Sequence, residues 1–288
     1  MATLQEIRRR IRSIRNLSQV TKALEAVSAT KVQKAKTAVL ETRPYAHRAW
    51  EVIVNLACPD AACPEDAPAH PLLVYREPVR SVLIVLFTSD RGLCGSYNSN
   101  VIRVAMDYAE KLPVPTRFVS VGKRGRAALW RSRVDLVAEF TDLPAIPRFM
   151  DISPIARTVI EEFCQGRSDE SFLAYTDFVN LLSYQPVIKR LLPLRPSQLE
   201  MQAVSEYVID MQPVGVAEYL YEPDQAEILS EILPRFTELQ VYQAALEAAA
   251  SEHAARRMSM RNATESAEDL LRDLTLMRNK ARQQTITR

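Results

Sequence analysis

A series of mostly apolar residues near the end of the chain recurs at alternating intervals of three and four positions. The members of this series are Leu239, Tyr242, Leu246, Ala249, His253, Arg256, Met260, Ala263, Ala267, Leu270, Leu274, Met277 and Ala281. The spacing is the seven-residue repeat of a coiled coil. It predicts one long helix, from a turn at Pro223 to about Thr285, that packs against another helix along a narrow stripe.

A matching stripe opens the chain and predicts a second long helix, from about Thr3 to Ala57 with a bend at Pro44. Its first apolar positions are Leu4, Ile7, Ile11 and Ile14. In strict register the stripe then becomes polar, at Ser18, Thr21, Glu25 and Ser28. An apolar stripe displaced by one position runs beside it, through Leu17, Val20, Leu24 and Val27. We interpret the displacement as a stammer in the repeat, which would turn apolar side chains toward something besides the paired helix.

The middle of the chain alternates between short apolar runs and helical patterns. Strands are predicted at 79–88, 116–121 and 134–140, and a strand pair at 172–178 and 187–192 predicts an antiparallel edge. Helices are predicted at 101–111, 125–131 and 155–165. Alternating strands and helices predict an α/β fold with a central, Rossmann-like, mainly parallel sheet flanked by helices. The terminal helices carry stripes too narrow for a globular core, so they are expected to pair in a left-handed supercoil.

The positions of the prolines divide the chain into four segments. An N-terminal coiled-coil helix (1–57) is followed by a proline-rich linker (58–78), a central α/β domain (79–222) and a C-terminal coiled-coil helix (223–288). The linker contains Pro59, Pro64, Pro68, Pro71 and Pro78.

The formal net charge of +2 conceals a strongly basic N-terminal helix. Between Arg8 and Lys36 there are nine basic residues and one acidic residue, Glu25. This helix is expected to face negative surfaces. An arginine-rich start could also be read as a mitochondrial targeting peptide, although its apolar stripe continues into the helix. The longest apolar run, 82–87, has the length of a strand, so any membrane association is expected to be indirect, through partners.

The loop Thr88–Asn98 between the first strand and helix lacks the spacings that hold phosphates or dinucleotides. Gly92 and Gly95 are expected to allow a tight turn, with Asp90 and Asn98 as local caps. A nucleophilic Cys94 would need a base, and none of the three histidines lies nearby in sequence.

Other candidate sites are equally weak. Cys58, Cys63 and His70 make a poor metal site, and reduced thiols in a cytosol fit the four cysteines better. In the C-terminal stripe, we interpret His253 as a core histidine. We interpret Arg256 as a snorkelling arginine, whose stem packs in the stripe while its guanidinium group reaches water. No catalytic residue, cofactor site or metal site is expected.

Five sequence blocks, from both ends and the middle of the chain, resemble the gamma subunits of F-type ATP synthases. The blocks occur in the same order as in that family. They are TLQEIRRRIRSIRN from Thr3, TKALEAVSATK from Thr21, SDRGLCG from Ser89, ASEHAARRMSMRNAT from Ala250 and NKARQQTIT from Asn279.

The resemblance implies a non-catalytic rotor subunit of the central stalk. Its terminal helices would form an antiparallel coiled coil inside a ring of alternating alpha and beta subunits, with the α/β domain at the foot, on the membrane c-ring. Rotation would transmit torque between that ring and the catalytic sites of beta, which couples ion flow to ATP synthesis or hydrolysis. Further implications are an epsilon partner and a peripheral location at the cytoplasmic face of the bacterial cell membrane.

The resemblance also carries residue roles. Arg282 and Gln283, with Lys22 on the facing segment, correspond to a contact with a catch loop of beta. Arg8, Arg9, Arg10 and Leu24 correspond to residues that contact the ring, and Leu24 replaces a methionine common in the family. Arg91 and Cys94 correspond to a loop near an acidic segment of beta. Tyr219, Tyr221 and Glu222 correspond to contacts at the rotor foot. Residues 191–211 hold no cysteine, so the dithiol insert of chloroplast members is absent.

Two other functions compete with the rotor. A basic coiled coil could bind nucleic acid, yet the first 44 residues contain no aromatic side chain for base stacking. An enzyme built on the α/β domain would need an acid–base constellation, which the sequence does not show.

Overall fold

The computed structural model describes residues 4–57, 70–180, 183–194 and 225–286. Tyr219, Tyr221, Glu222 and residues 58–69 of the predicted linker lie outside these ranges. The two terminal helices are α1, Leu4–Ala57, and α5, Gln225–Ile286. At 1.5 Å per residue they are about 80 and 90 Å long.

The terminal helices pair in antiparallel directions. Thr21 of α1 and Thr264 of α5 meet side by side, with their hydroxyl oxygens 2.6 Å apart. Farther along α1, Ile53 joins the core cluster that contains Leu233. Partner numbers therefore rise on one helix as they fall on the other, and the start of α1 lies beside the end of α5.

The seam of α1 keeps one seven-residue register from end to end. Its buried positions are Ile7, Ile11, Thr21, Ser28, Val32, Ala35 and Ile53, and each step between them fits the repeat. The stammer interpretation is therefore wrong. Polar residues stay in the seam because their hydroxyl groups have partners, as in the donation from Ser28 to the carbonyl oxygen of Leu24.

The displaced apolar stripe points away from α5, as expected. Leu17, Val20 and Val27 are 55%, 55% and 51% exposed. Leu24, the fourth member, is half-buried. The paired helices thus present an apolar strip on the outer surface of α1.

The central sheet has five strands in the order β3-β2-β1-β4-β5. The strands are β1 Val82–Phe87, β2 Thr116–Val121, β3 Asp135–Phe140, β4 Glu170–Phe178 and β5 Tyr184–Leu192. β1 pairs in parallel with β2 and β4, and β2 with β3, while β5 is an antiparallel edge on β4. The predicted fold class is confirmed.

Each face of the sheet has its own core. The helices α2, Tyr97–Lys111, and α3, Lys123–Arg131, cover one face, where Val101 and Leu129 pack on Ile84 and Phe118. The other face packs against α4, Phe149–Cys164, and against both long helices. The coiled coil therefore passes across one face of the sheet, opposite α2 and α3.

Helix α4 begins six residues before its predicted start at Ile155. The backbone N–H of Arg148 donates to Asp151 at 2.8 Å, which caps the first turn. Pro154 lies inside the helix. It is the sixth residue of the helix, so its missing N–H removes one helical hydrogen bond, the one to the carbonyl oxygen of Met150.

Candidate functional site

The loop after β1 is fixed to the loops after β2 and β3. Ser89 donates its backbone N–H to Oδ1 of Asn98 at 2.9 Å, the local cap that the sequence predicts. Asp90 acts over a longer range: its Oδ1 accepts from the N–H of Lys123 at 2.9 Å, and its Oδ2 accepts from the N–H of Asp142 at 3.0 Å. One carboxylate thus joins the three loops at the carboxyl edge of the parallel strands.

Two glycines shape this edge. Gly122 has φ 99°, and a Cβ there would lie 2.3 Å from the carbonyl oxygen of Thr88. Gly95 has φ 57°, as its predicted turn requires. Leu93, with φ 65°, is also left-handed, whereas Gly92 is not. Leu93 is thereby turned outward, and it is 63% exposed.

Arg256 of α5 holds this loop against the coiled coil. Its Nε donates to the carbonyl oxygen of Gly92 at 3.3 Å and its Nη2 to that of Arg91 at 3.4 Å. The same Nη2 lies 2.6 Å from Oε1 of Glu252. Arg256 is 9% exposed. The snorkelling interpretation is therefore wrong: the guanidinium group points inward, where it bonds the loop.

His253 completes this junction as a neutral side chain. Arg256 can only donate, so Nδ1 of His253 accepts from Nη1 at 3.1 Å, and Nε2–H donates to the carbonyl oxygen of Ala145 at 3.1 Å. Burial, together with the nearby guanidinium, lowers the pKa of His253 to about 4. Burial also raises the pKa of Glu252, although Arg256 opposes that shift.

The predicted contact residues of the loop separate into an inward and an outward group. Cys94 is 2% exposed, and its Sγ accepts from Nδ2 of Asn98 at 3.1 Å. The thiol of Cys94 therefore packs inside the loop. Arg91 and Leu93 are exposed instead. The sequence did not predict Leu93 as an exposed contact residue, because nothing around it indicates a left-handed backbone.

A cleft of about 450 Å³ separates the loop from the coiled coil. Leu24 and Lys31 of α1 line it, together with Arg91 and Glu252. Leu24 is therefore at the junction between shaft and domain. Lys31 and Arg91 give the cleft a positive side, because both carboxylates that line it are engaged. Glu252 is paired with Arg256, and Asp90 accepts from two backbone N–H groups.

The remaining predicted contacts lie along the shaft. Arg8, Arg9, Arg10, Lys22, Arg282 and Gln283 are all exposed. The antiparallel register places Arg282 beside the first turn of α1, on the same tip as Arg8–Arg10. Lys22 lies about 28 Å farther down the shaft, so the structure does not bring it together with Arg282 and Gln283.

Two kinds of feature are absent from the part of the chain that the structure describes. No helix in that part is long and apolar enough to cross a bilayer. Within the same ranges, no group of three histidine, cysteine, aspartate or glutamate side chains is arranged to hold a metal ion.

Comparison with known sequences gives matches along the whole chain. The family model described as ATP synthase matches residues 3–288. The chain is 45% identical to the ATP synthase gamma chain of Roseiflexus castenholzii and 42% identical to that of Chloroflexus aurantiacus. Each alignment covers 100% of this chain and 95% of the relative.

Solved structures share the fold. The central stalk and c-ring of the Tetrahymena thermophila mitochondrial ATP synthase gives a TM-score of 0.61 at 24% identity, covering 85% of this chain and 99% of the matched chain. The rotor of the Euglena gracilis mitochondrial ATP synthase gives 0.63 at 18% identity, covering 98% of both chains.

Proposed function

The chain belongs to the gamma-chain family of ATP synthases, and from that premise we propose how it works as the non-catalytic rotor subunit of the central stalk. Torque passes along the antiparallel pair of α1 and α5. The domain on the sheet is the foot that receives or delivers this torque, and the shaft tip turns inside a ring of alpha and beta subunits.

The observation that carries this proposal is a long shaft with unequal sides. Arg261 lines a groove beside the β4–β5 hairpin, and α5 continues from there to Ile286, about 37 Å, with α1 as its packing partner. On α1 the outer surface is the apolar strip of Leu17, Val20 and Val27. At the same level α5 presents the exposed ion pair of Arg261 and Glu265.

Unequal sides are what a rotor needs. A partner shifts a conformational equilibrium only when it contacts the alternative states differently. At any angle, an asymmetric shaft shows a different side to each of three equivalent catalytic subunits. Rotation then passes each subunit through the same series of states in turn.

Specific contacts follow from this placement. Arg282 and Gln283 at the tip would hydrogen-bond the catch loop of beta, with Lys22 contacting the ring at a lower level. Arg8, Arg9 and Arg10 would meet acidic ring surfaces, and Leu24 would meet the ring beside the cleft. At the base of the shaft, Arg91 and the neighbouring Leu93 would face the acidic segment of beta.

The foot is proposed to comprise residues 79–222, joined to α1 by a linker at 58–78. Its contacts with the membrane c-ring and with an epsilon subunit would include Tyr219, Tyr221 and Glu222. This arrangement makes the chain a peripheral part of a membrane-associated complex, at the cytoplasmic face of a bacterial membrane.

Single-molecule rotation tests the proposal directly. Cys94 is too buried to label, whereas Cys164 on α4 is exposed. With Cys58 and Cys63 changed to serine, a bead on Cys164 reports the angle of the foot while alpha and beta subunits hydrolyse ATP. We expect rotation in three equal steps. A complex that hydrolyses ATP at the normal rate while the bead stays still would refute the proposal.

A matched set of variants tests the apolar strip. Leu17→Gln, Val20→Gln and Val27→Gln together should leave the isolated chain as stable as before, since these side chains are already in water, yet weaken assembly with the ring. Val179→Gln is the control, because Val179 is 58% exposed but lies outside the shaft. Equal assembly of both variants would exclude the strip as a contact.

A further inference from the structure

The end of α3 carries an exposed tryptophan among arginines. Trp130 is 81% exposed, the highest value among the exposed large apolar side chains of the described residues. Arg126 lies one turn earlier on the same face of the helix, and Arg131 and Arg133 follow it. We call these four residues the Trp130 patch. Tryptophan and arginine are both enriched in protein interfaces relative to the rest of the surface, so their combination here favours a surface that a partner covers.

Two cations of the patch have no carboxylate partner among the described residues. Residues 122–134 hold five basic residues and no acidic residue. Lys123 pairs with Asp142 and Arg126 with Glu139. The Nε of Arg131 donates to a backbone carbonyl, that of Ala127, at 3.0 Å. The patch therefore carries an unbalanced positive charge.

The backbone that presents Arg133 is strained for its side chain. Arg133 has φ 54°, and its N–H donates to the carbonyl oxygen of Trp130 while the N–H of Val134 donates to that of Leu129. These bonds form a helix-ending motif whose left-handed position is usually glycine. An arginine there costs stability that glycine would not. Strain kept at an exposed position motivates the hypothesis that the side chain serves a purpose other than folding.

The patch lies at the end of the domain opposite the projecting shaft. It precedes β3 at the amino edge of the sheet, where Asp135 pairs with Arg117 at the start of β2. The projecting part of the shaft leaves from the carboxyl edge, where Arg256 holds the loop after β1. The patch also faces away from the coiled coil, on the side covered by α2 and α3.

We propose that the Trp130 patch is a docking surface for an acidic segment of a protein that turns with this chain. The proposal rests on the proposed function only in placing that protein within the same rotating assembly. Tryptophan and arginine are the side chains most enriched at the energetic centres of protein interfaces, and the free arginines would pair with carboxylates. An anionic bilayer fits less well, because membrane-surface helices bury a broad apolar face that α3 lacks.

Photo-crosslinking within the assembled complex tests the proposal. The chain carries p-benzoylphenylalanine at position 130, is assembled into the complete ATP synthase in membranes, and is irradiated before peptide mapping. We expect adducts with a protein segment that holds more aspartate and glutamate than lysine and arginine. The charge reversal Arg131→Glu should lower adduct yield by about tenfold, whereas Arg103→Glu, an exposed arginine on α2, should not.

A second variant separates binding from folding. Arg133→Gly relieves the left-handed strain, so it should raise the Tm of the isolated chain and still lower the adduct yield. A loss of adducts in a more stable chain cannot come from misfolding.

Other outcomes overturn the proposal. Adducts with lipid, adducts with a neutral or basic segment, or no adducts in an assembly that hydrolyses ATP would each do so. The same crosslinker at Leu93 reports on the proposed contact with beta, so failure of the rotor assignment and failure of the patch give different results.

Discussion

At the scale of single residues, the junction between shaft and domain depends on groups that sequence reasoning had treated as ordinary. Arg256 donates to two carbonyl oxygens of the loop after β1 and is fixed by Glu252 and His253. Asp90 joins that loop to its two neighbours. The junction is rigid because each buried polar group in this network has a partner. Torque applied to the shaft at this level would therefore pass to the sheet.

Gly122 should be the least replaceable residue at this junction. Gly122→Ala places a methyl group against the carbonyl of Thr88 at a backbone angle that alanine avoids, so we expect a loss of at least about 3 kcal/mol of unfolding free energy. Gly166→Ala is the matched control, since Gly166 has φ 70° but no heavy atom within 4 Å of its added Cβ, and it should cost only about 1 kcal/mol. Urea unfolding of both variants measures the difference. Equal losses would mean that the close approach of Thr88 does not matter.

His253 should make the chain acid-sensitive. Its pKa is 6.5 in the unfolded chain and about 4 in the fold, so the unfolded state binds the proton more readily. Stability is then complete above pH 6.5 and falls as the pH decreases toward 4. His253→Gln keeps both hydrogen-bonding roles without the titration. Between pH 7 and 4.5 the wild type should lose about 2 kcal/mol more than this variant.

Glu252 does not obscure this comparison. Its raised pKa lets the folded state bind a proton more readily, which partly offsets the loss, but the effect is common to both proteins. Denaturant titrations at several pH values give the unfolding free energy of the wild type and of His253→Gln as a function of pH. If the two free energies fell in parallel as the pH decreased, His253 would not be the titrating group.

At the scale of elements, the coiled coil is held by a seam that changes from apolar to polar and back. The hydroxyl oxygens of Thr21 and Thr264 lie 2.6 Å apart in the seam, so one hydroxyl donates to the other. The accepting hydroxyl donates in turn to a carbonyl of its own helix, that of Ser18 for Thr21 or that of Met260 for Thr264. Polar pairs in a seam fix the register of two helices because other alignments would leave them without partners. The register in turn decides which side of α1 carries the exposed apolar strip.

A double-mutant cycle tests the threonine pair. Thr21→Val or Thr264→Val alone should cost about 1 kcal/mol, because the other hydroxyl loses its neighbour across the seam. Both changes together should restore or exceed the wild-type stability, since two valines pack without an unmet polar group. Chemical unfolding of the four proteins gives the coupling energy. Strict additivity would mean that the pair does not act as a unit.

At the scale of the whole molecule, the projecting shaft and the foot can be separated in function. The tip of the shaft packs only along a narrow seam, whereas the sheet is covered on both faces. Stability should therefore reside mainly in the domain and the lower shaft. The tip is free to serve contacts with other subunits.

Deleting residues 282–288 should test that division. We expect the Tm of the isolated chain to stay nearly unchanged, because the exposed end of a long helix adds little to the core. In the reconstituted complex the same deletion should reduce the coupling of ATP hydrolysis to rotation. Bead rotation under load measures this, with the full-length chain as control. Unchanged torque would place the working contacts lower on the shaft.

The sequence by itself determined the class of the fold, the two long helices and the order of strands and helices, because the spacing of apolar residues along a segment fixes which local structure can bury them. The family blocks at both ends and in the middle determined the membership. The bounds of β2 were predicted to the residue, since Pro115 and Gly122 flank it.

Only the tertiary structure decided how the pieces meet. The unbroken register of α1, the inward-facing Cys94, the arginine that bonds a loop and the water-exposed Trp130 all depend on neighbours distant in sequence. A side chain's burial and partners are set by those neighbours, and a local pattern carries no information about them.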